Sequence, residues 1–154
     1  MSTGGLSLND ILKYIPQQAP FRFVDEITEV DEQHIVGHYT FRHDEFFYKG
    51  HFPGQPVTPG VILTECMCQI GVVALGLYLL SLQLEPQELD QWVTFFTDAQ
   101  VEFLRPVYPN EQVIVTGYKQ FFRRMKLKAN IEMHTPQGEL IASLIAAGQG
   151  VKKS

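Results

Sequence analysis

Two side chains in this sequence combine proton-transfer chemistry with unusual settings. His51 sits in the punctuated run Gly50-His51-Phe52-Pro53-Gly54, and Glu65 follows 14 residues later as the only charge between Val61 and Leu84. An imidazole titrates near neutrality and can take a proton from carbon. A carboxyl among apolar neighbours is desolvated, which favours its neutral form and lets it donate a proton. A base that removes an α-proton and an acid that protonates a departing hydroxyl are the pair that elimination of water requires. Taken singly, each has an ordinary explanation: His51 as a turn residue, Glu65 as a surface position on a helix. The run Thr58-Pro59-Gly60 makes the combination harder to explain as scaffold. It reads as a helix start with Thr58 as N-cap, Pro59 at N1 and Gly60 at N2. If Thr58 caps the Val61 N–H, the Gly60 N–H is free, and with no side chain there a carbonyl can approach closely. Such a donor stabilises the enolate-like oxygen formed as the α-proton leaves. Gln69, four residues beyond Glu65 on the same helix face, either orients the carboxyl or satisfies itself in the core.

The elements that must position these groups are legible from periodicity and punctuation. Asn9–Tyr14 reads as a short helix ended by Pro16, with Asn9 as cap. Phe21–Val30 and Gln33–Phe41 read as strands joined at Asp31-Glu32. The loop from His51 to Gly60 follows; counting Gly50 it holds three prolines and three glycines, which specifies a backbone path. A helix of about 22 to 24 residues, roughly 35 Å long, then runs to Pro86. The rest reads as strands: Trp92–Val107, Gln112–Phe122, the alternating Lys126–His134 and, after a turn at Thr135–Gly138, Glu139–Gly148. The last is apolar enough to be covered on both faces. A helix apolar nearly all round must be surrounded, so the expected class is α+β, one domain over residues 1–154, with an antiparallel sheet curled around one long central helix.

Bulk properties narrow the function. The formal net charge of −5 argues against non-specific nucleic-acid binding. Cys66 and Cys68, two apart on a helix, point to different sides, so they read as buried reduced thiols. Met1–Asp10 lacks the charged and apolar regions of a secretory signal, so a cytoplasmic location is expected. The Val61–Leu84 run is long enough to span a bilayer, but Glu65, Gln69 and Ser81 interrupt it and no basic residues flank it, so a core helix rather than membrane insertion is expected. His34 and His38, four apart on a strand, lie about 13 Å apart, too far for one metal. No nucleotide fingerprint or phosphate-cradling loop is present, so neither metal nor cofactor is expected.

The run from Gly50 to Gln69, GHFPGQPVTPGVILTECMCQ, resembles the signature of the (3R)-hydroxyacyl-acyl-carrier-protein dehydratases. It is closer to their glutamate-bearing branch than to the aspartate-bearing branch that also isomerises. Pro20–Asp25 resembles the family's early strand and Phe103–Pro109 its later one, so the likeness covers most of the chain. The resemblance implies a hot-dog fold, at least a homodimer, and in many members a hexamer (trimer of dimers). It also implies an acyl tunnel along the subunit interface, with the histidine and carboxylate of each site drawn from different subunits. By position it makes His51 and Glu65 catalytic and Gly60 the helix-start amide; Gln69, from its place on the Glu65 helix face, is set with Gly60 in the oxyanion and substrate-binding group. The chain departs from the family's common pattern at Gln17-Gln18-Ala19, Gln55 and Asn110, which is compatible with a specialised acyl or polyene pathway rather than housekeeping fatty-acid synthesis.

The implied partner, an acyl carrier protein, is acidic, and docking requires a local basic patch. Lys119–Lys128 carries five positive charges in ten residues. Arg123, Arg124, Lys126 and Lys128 are the candidate docking residues; ordinary solvated-face or edge-strand protection is the alternative. Two other functions fit the same fold: an acyl thioesterase, which needs a carboxylate activating water at the carbonyl, and a non-catalytic acyl-binding subunit. Chain length, isomerisation and the choice between carrier protein and coenzyme A as thioester handle are open at this level.

Overall fold

The computed structural model describes residues 4–154; the first three positions of the Met1–Asp10 segment lie outside the described residues. Helix α1 (Leu8–Tyr14) is capped by Ser7, whose hydroxyl accepts from the Asp10 N–H, so the cap lies two residues before the expected Asn9. Strands β1 (Glu26–Val30) and β2 (His34–Thr40) form a hairpin. Helix α2 (Gly60–Ser81) crosses the core, and α3 (Pro86–Leu89) is a single turn. Strands β3 (Trp92–Phe103), β4 (Gln112–Arg123), β5 (Lys126–His134) and β6 (Leu140–Lys152) complete the chain. All pairings are antiparallel, and the six strands run in the order β1-β2-β4-β5-β6-β3. This is the hot-dog arrangement, a sheet wrapped around α2.

The strands read from alternation are placed as expected. In β5, Leu127, Ala129, Ile131 and Met133 are all buried while their neighbours are not. In β6, Ile141, Ala142, Ala146 and Ala147 are buried although neighbours along a strand face opposite ways, so both of its faces are covered there. The first strand is shorter than expected: it begins at Glu26, and before it the Phe21 carbonyl and the Phe23 N–H are held by the Gln69 side chain of α2, while the Asp25 N–H already donates to the His38 carbonyl of β2. Pro86 does not end α2. It opens α3, whose capping box joins Glu85 and Glu88.

Helix α2 is not uniformly α-helical. Its centre, Gln69–Ala74, is a π-helical turn. The backbone there lies directly on the sheet: a Cβ on Gly71 would sit 2.5 Å from Ile131 Cδ1, and one on Gly117 would sit 2.8 Å from the Gly71 Cα. Glycine on both sides permits this approach. The most apolar stretch of α2 is 72% buried within the protein, as a core helix is. Cys66 and Cys68 are buried free thiols, and burial raises both thiols well above their ordinary range.

Candidate active site

The loop that carries His51 turns tightly between β2 and α2. Phe52 and Gln55 exchange backbone hydrogen bonds, the Phe52 N–H donating to the Gln55 carbonyl at 3.1 Å and the Gln55 N–H to the Phe52 carbonyl at 2.8 Å. Gly54 closes the turn with φ +75°, a left-handed conformation for which glycine is suited. Val57 grips His51 twice: its N–H donates to the His51 carbonyl at 2.9 Å, and its own carbonyl lies 2.9 Å from Nδ1. A carbonyl can only accept, so Nδ1 carries the hydrogen in the neutral ring and Nε2 carries the lone pair. Phe52 stacks on the imidazole, with centroids 4.1 Å apart.

Glu65 lies in the first half of α2, half-buried. Gln69 Nε2 donates to Glu65 Oε2 at 2.8 Å and to the Phe21 carbonyl at 2.8 Å, while Gln69 Oε1 accepts the Phe23 N–H at 2.7 Å. The two backbone partners dictate which end of the amide is which, so the group facing Glu65 must be the NH2. Burial raises the Glu65 carboxyl above its ordinary value, and the Gln69 hydrogen bond opposes part of that rise. With Oε2 accepting from Gln69, a proton on the acid resides on Oε1, the oxygen left to donate.

Gln69 is fully buried, and its amide is occupied by the Phe21 carbonyl, the Phe23 N–H and the Glu65 carboxylate.

The helix start also differs from expectation. Pro59, not Thr58, is the N-cap residue, with no side-chain cap. The Thr58 hydroxyl instead pairs with the Tyr48 hydroxyl at 2.6 Å, both side chains buried. Gly60 N–H has no protein acceptor among the described residues, so the free donor is present without the expected cap. A Cβ on Gly60 would meet the Phe103 ring at 3.0 and 3.1 Å. Phe103 fills the place of the missing side chain.

Within one protomer no hydrogen bond or ion pair joins His51 to Glu65 among the described residues. The basic hairpin is also remote. Arg124 and Met125 form its turn with φ of 53° and 62°, and Arg123 pairs with Lys126 across it. The Arg123 guanidinium lies 4.3 Å from the centroid of the Phe121 ring, and Lys126 and Lys128 share that outer face, opposite buried Leu127. Met125 reaches a small apolar cavity with Gly76, Leu80 and Trp92, at the end of α2 away from Gly60. From Gly60 to Gly76 along the helix is about 24 Å.

A family profile described as FabA-like domain matches residues 15–142. A 3-hydroxyacyl-acyl-carrier-protein dehydratase FabZ from Geobacter metallireducens is 35% identical over 143 residues, covering 88% of this chain and 91% of its own. Among solved structures, the dehydratase heterocomplex ApeI:P from Xenorhabdus doucetiae superposes with a TM-score of 0.73 at 14% identity, covering 93% of this chain and 91% of its own. A thioesterase from Haemophilus influenzae superposes at 0.68 with 16% identity, covering 98% of this chain and 94% of its own. At these identities the two structures speak to the fold alone.

Proposed function

This chain belongs to the FabA-like domain family, and we propose from that premise that it dehydrates a (3R)-3-hydroxyacyl thioester carried on acyl carrier protein to the trans-2-enoyl thioester, in fatty-acid or related acyl biosynthesis. The observation that carries the reading is the pairing of complementary groups. In its neutral form the His51 ring presents the Nε2 lone pair, and Glu65 holds a raised, Gln69-oriented carboxyl with Oε1 free to donate. His51 Nε2 takes the α-proton, Glu65 protonates the β-hydroxyl, and the C–O bond breaks to release water. The Gly60 N–H receives the enolate-like oxygen between these events.

A homodimer completes the site. Strand β3 is an edge strand that among the described residues pairs only with β6, and Phe95, Phe96 and Phe103 on it are 52%, 40% and 44% exposed. Two-fold antiparallel pairing of β3 with its copy sets the partner's Trp92 end beside this protomer's Phe103 end. That brings the partner's basic hairpin towards the helix start, where a carrier-bound thioester enters. The partner's His51 is assigned to the Glu65 site by the family resemblance, which draws the histidine and the carboxylate from different subunits. Arg123, Arg124, Lys126 and Lys128 receive the acidic carrier there. Further assembly into a hexamer is compatible with this dimer. A cytoplasmic location suits both the carrier and the buried reduced thiols.

The test is turnover of 3-hydroxyacyl-carrier substrates followed at the enoyl absorbance, with released thiol measured in parallel. Enoyl formation without thiol release is the expected result. Thiol release in its place would identify a thioesterase, and no turnover in either assay an acyl-binding subunit.

A further inference from the structure

The catalytic loop is held at its base and not at its tip. Gly50 and Gly54 have nothing within 4 Å of where a side chain would be, and Phe52 is 53% exposed, so packing does not fix the turn that carries His51. Its placement comes from two residues. Tyr48 accepts the His51 N–H on its carbonyl at 3.3 Å, a long bond, and Val57 holds both the His51 carbonyl and the ring. These two supports are tied to each other by one side-chain bond ten residues apart in sequence, between the hydroxyls of Tyr48 and Thr58 at 2.6 Å. Tyr48 and Thr58 are 5% and 4% exposed, and the Thr58 N–H is anchored to the Val107 carbonyl at 2.8 Å. Thr58 also stands two residues before Gly60, so the same tie joins the loop to the helix start.

We propose that the Tyr48–Thr58 hydroxyl pair is a positioning latch that sets the His51 ring relative to the Gly60 amide. The latch acts through Val57: a shift of Thr58 moves the Val57 carbonyl, and with it the imidazole that donates to it. It touches no substrate. Its effect is on the alignment of a proton-transfer group, where displacements of about an ångström cost rate steeply. The inference rests on the catalytic reading of His51.

The experiment compares Tyr48→Phe, Thr58→Val, the double variant and His51→Ala, below the melting transition of every variant. Each single change orphans a buried hydroxyl, whereas the double change orphans neither, so the double variant keeps a folded protein in hand. The latch predicts that kcat falls about tenfold in each single variant while KM stays within about twofold. Because one bond is lost in all three, the double variant falls no further than the worse single. Thr58→Ser restores most of the turnover that Thr58→Val loses. In protein labelled with 15N at histidine, the His51 Nδ1–H resonance bound to Val57 weakens or disappears in Tyr48→Phe. Wild-type kcat in both singles beside an inactive His51→Ala overturns the latch and leaves the catalytic reading intact, as do multiplicative losses in the double variant. Wild-type turnover in His51→Ala overturns the catalytic reading itself.

Discussion

In the proposed reaction Glu65 is the acid, its carboxyl raised by burial and one of its oxygens held by Gln69. Replacing it with glutamine keeps the shape and removes the proton, so Glu65→Gln should lower kcat at least about 100-fold, as should His51→Ala, measured by enoyl formation. Burial leaves a second trace in stability. The folded state holds the Glu65 proton more tightly than the unfolded chain, whose value is near the ordinary 4.5. The resulting stabilisation is whole below that value and is lost as pH rises through the higher folded-state value. Denaturant titrations from about pH 4 towards neutrality should therefore show wild type losing stability relative to Glu65→Gln, which does not titrate there. A pH-independent difference would mean the carboxyl is not desolvated. Gln69→Leu strands the buried Phe23 N–H and takes a partner from the part-buried Phe21 carbonyl. At about 1–3 kcal/mol for each orphaned group, it should destabilise the fold and also slow turnover, read by thermal melts and kcat together.

At the scale of elements, the π-helical turn in α2 and the paired glycines beneath it decide how closely helix and sheet approach. Gly117→Ala places a methyl 2.8 Å from the Gly71 Cα, where only backbone can yield. Overpacking of this kind costs about 1–3 kcal/mol, and the expected outcome is a lower melting temperature with the same β-sheet circular dichroism. The hairpin of β4 and β5 gathers Arg123, Lys126 and Lys128 on one face with no acidic residue in ion-pair contact among the described residues. Reversing Arg124 and Lys126 to glutamate should raise KM for carrier-bound substrate and spare a small thioester analogue. Equal effects on both would remove the docking assignment.

At the scale of the whole molecule, the two sheet edges are treated differently. Strand β1 is five residues long, carries Glu26 and Glu29 and has a bulge between Ile27 and Glu29, features that discourage pairing. Strand β3 is twelve residues long and exposes Phe95 and Phe96. A long edge strand that exposes large apolar side chains marks an association surface. Phe96→Lys should shift the sedimentation mass towards the 17.5 kDa protomer and abolish turnover with the fold intact. An active monomer would show that each protomer holds a complete site.

What the amino-acid order determined by itself is everything that depends on local pattern. Alternation in β5, the apolar length of α2 and the loop from Gly50 to Gly60 are consequences of neighbouring residues, and so were visible, as were His51 and Glu65, which stand out against their surroundings. What only the tertiary structure decided depends on residues distant in sequence meeting in space. Gln69 binds backbone 46 residues away, so its amide is held by the protein. Thr58 finds Tyr48 and abandons the cap, and Phe103 claims the space beside Gly60. The π-helical turn answers to Gly117 and Ile131, which no helical period can announce. Hydrogen-bond capacity and close-packed volume are shared across the whole chain, and their allocation is settled only when the chain has folded.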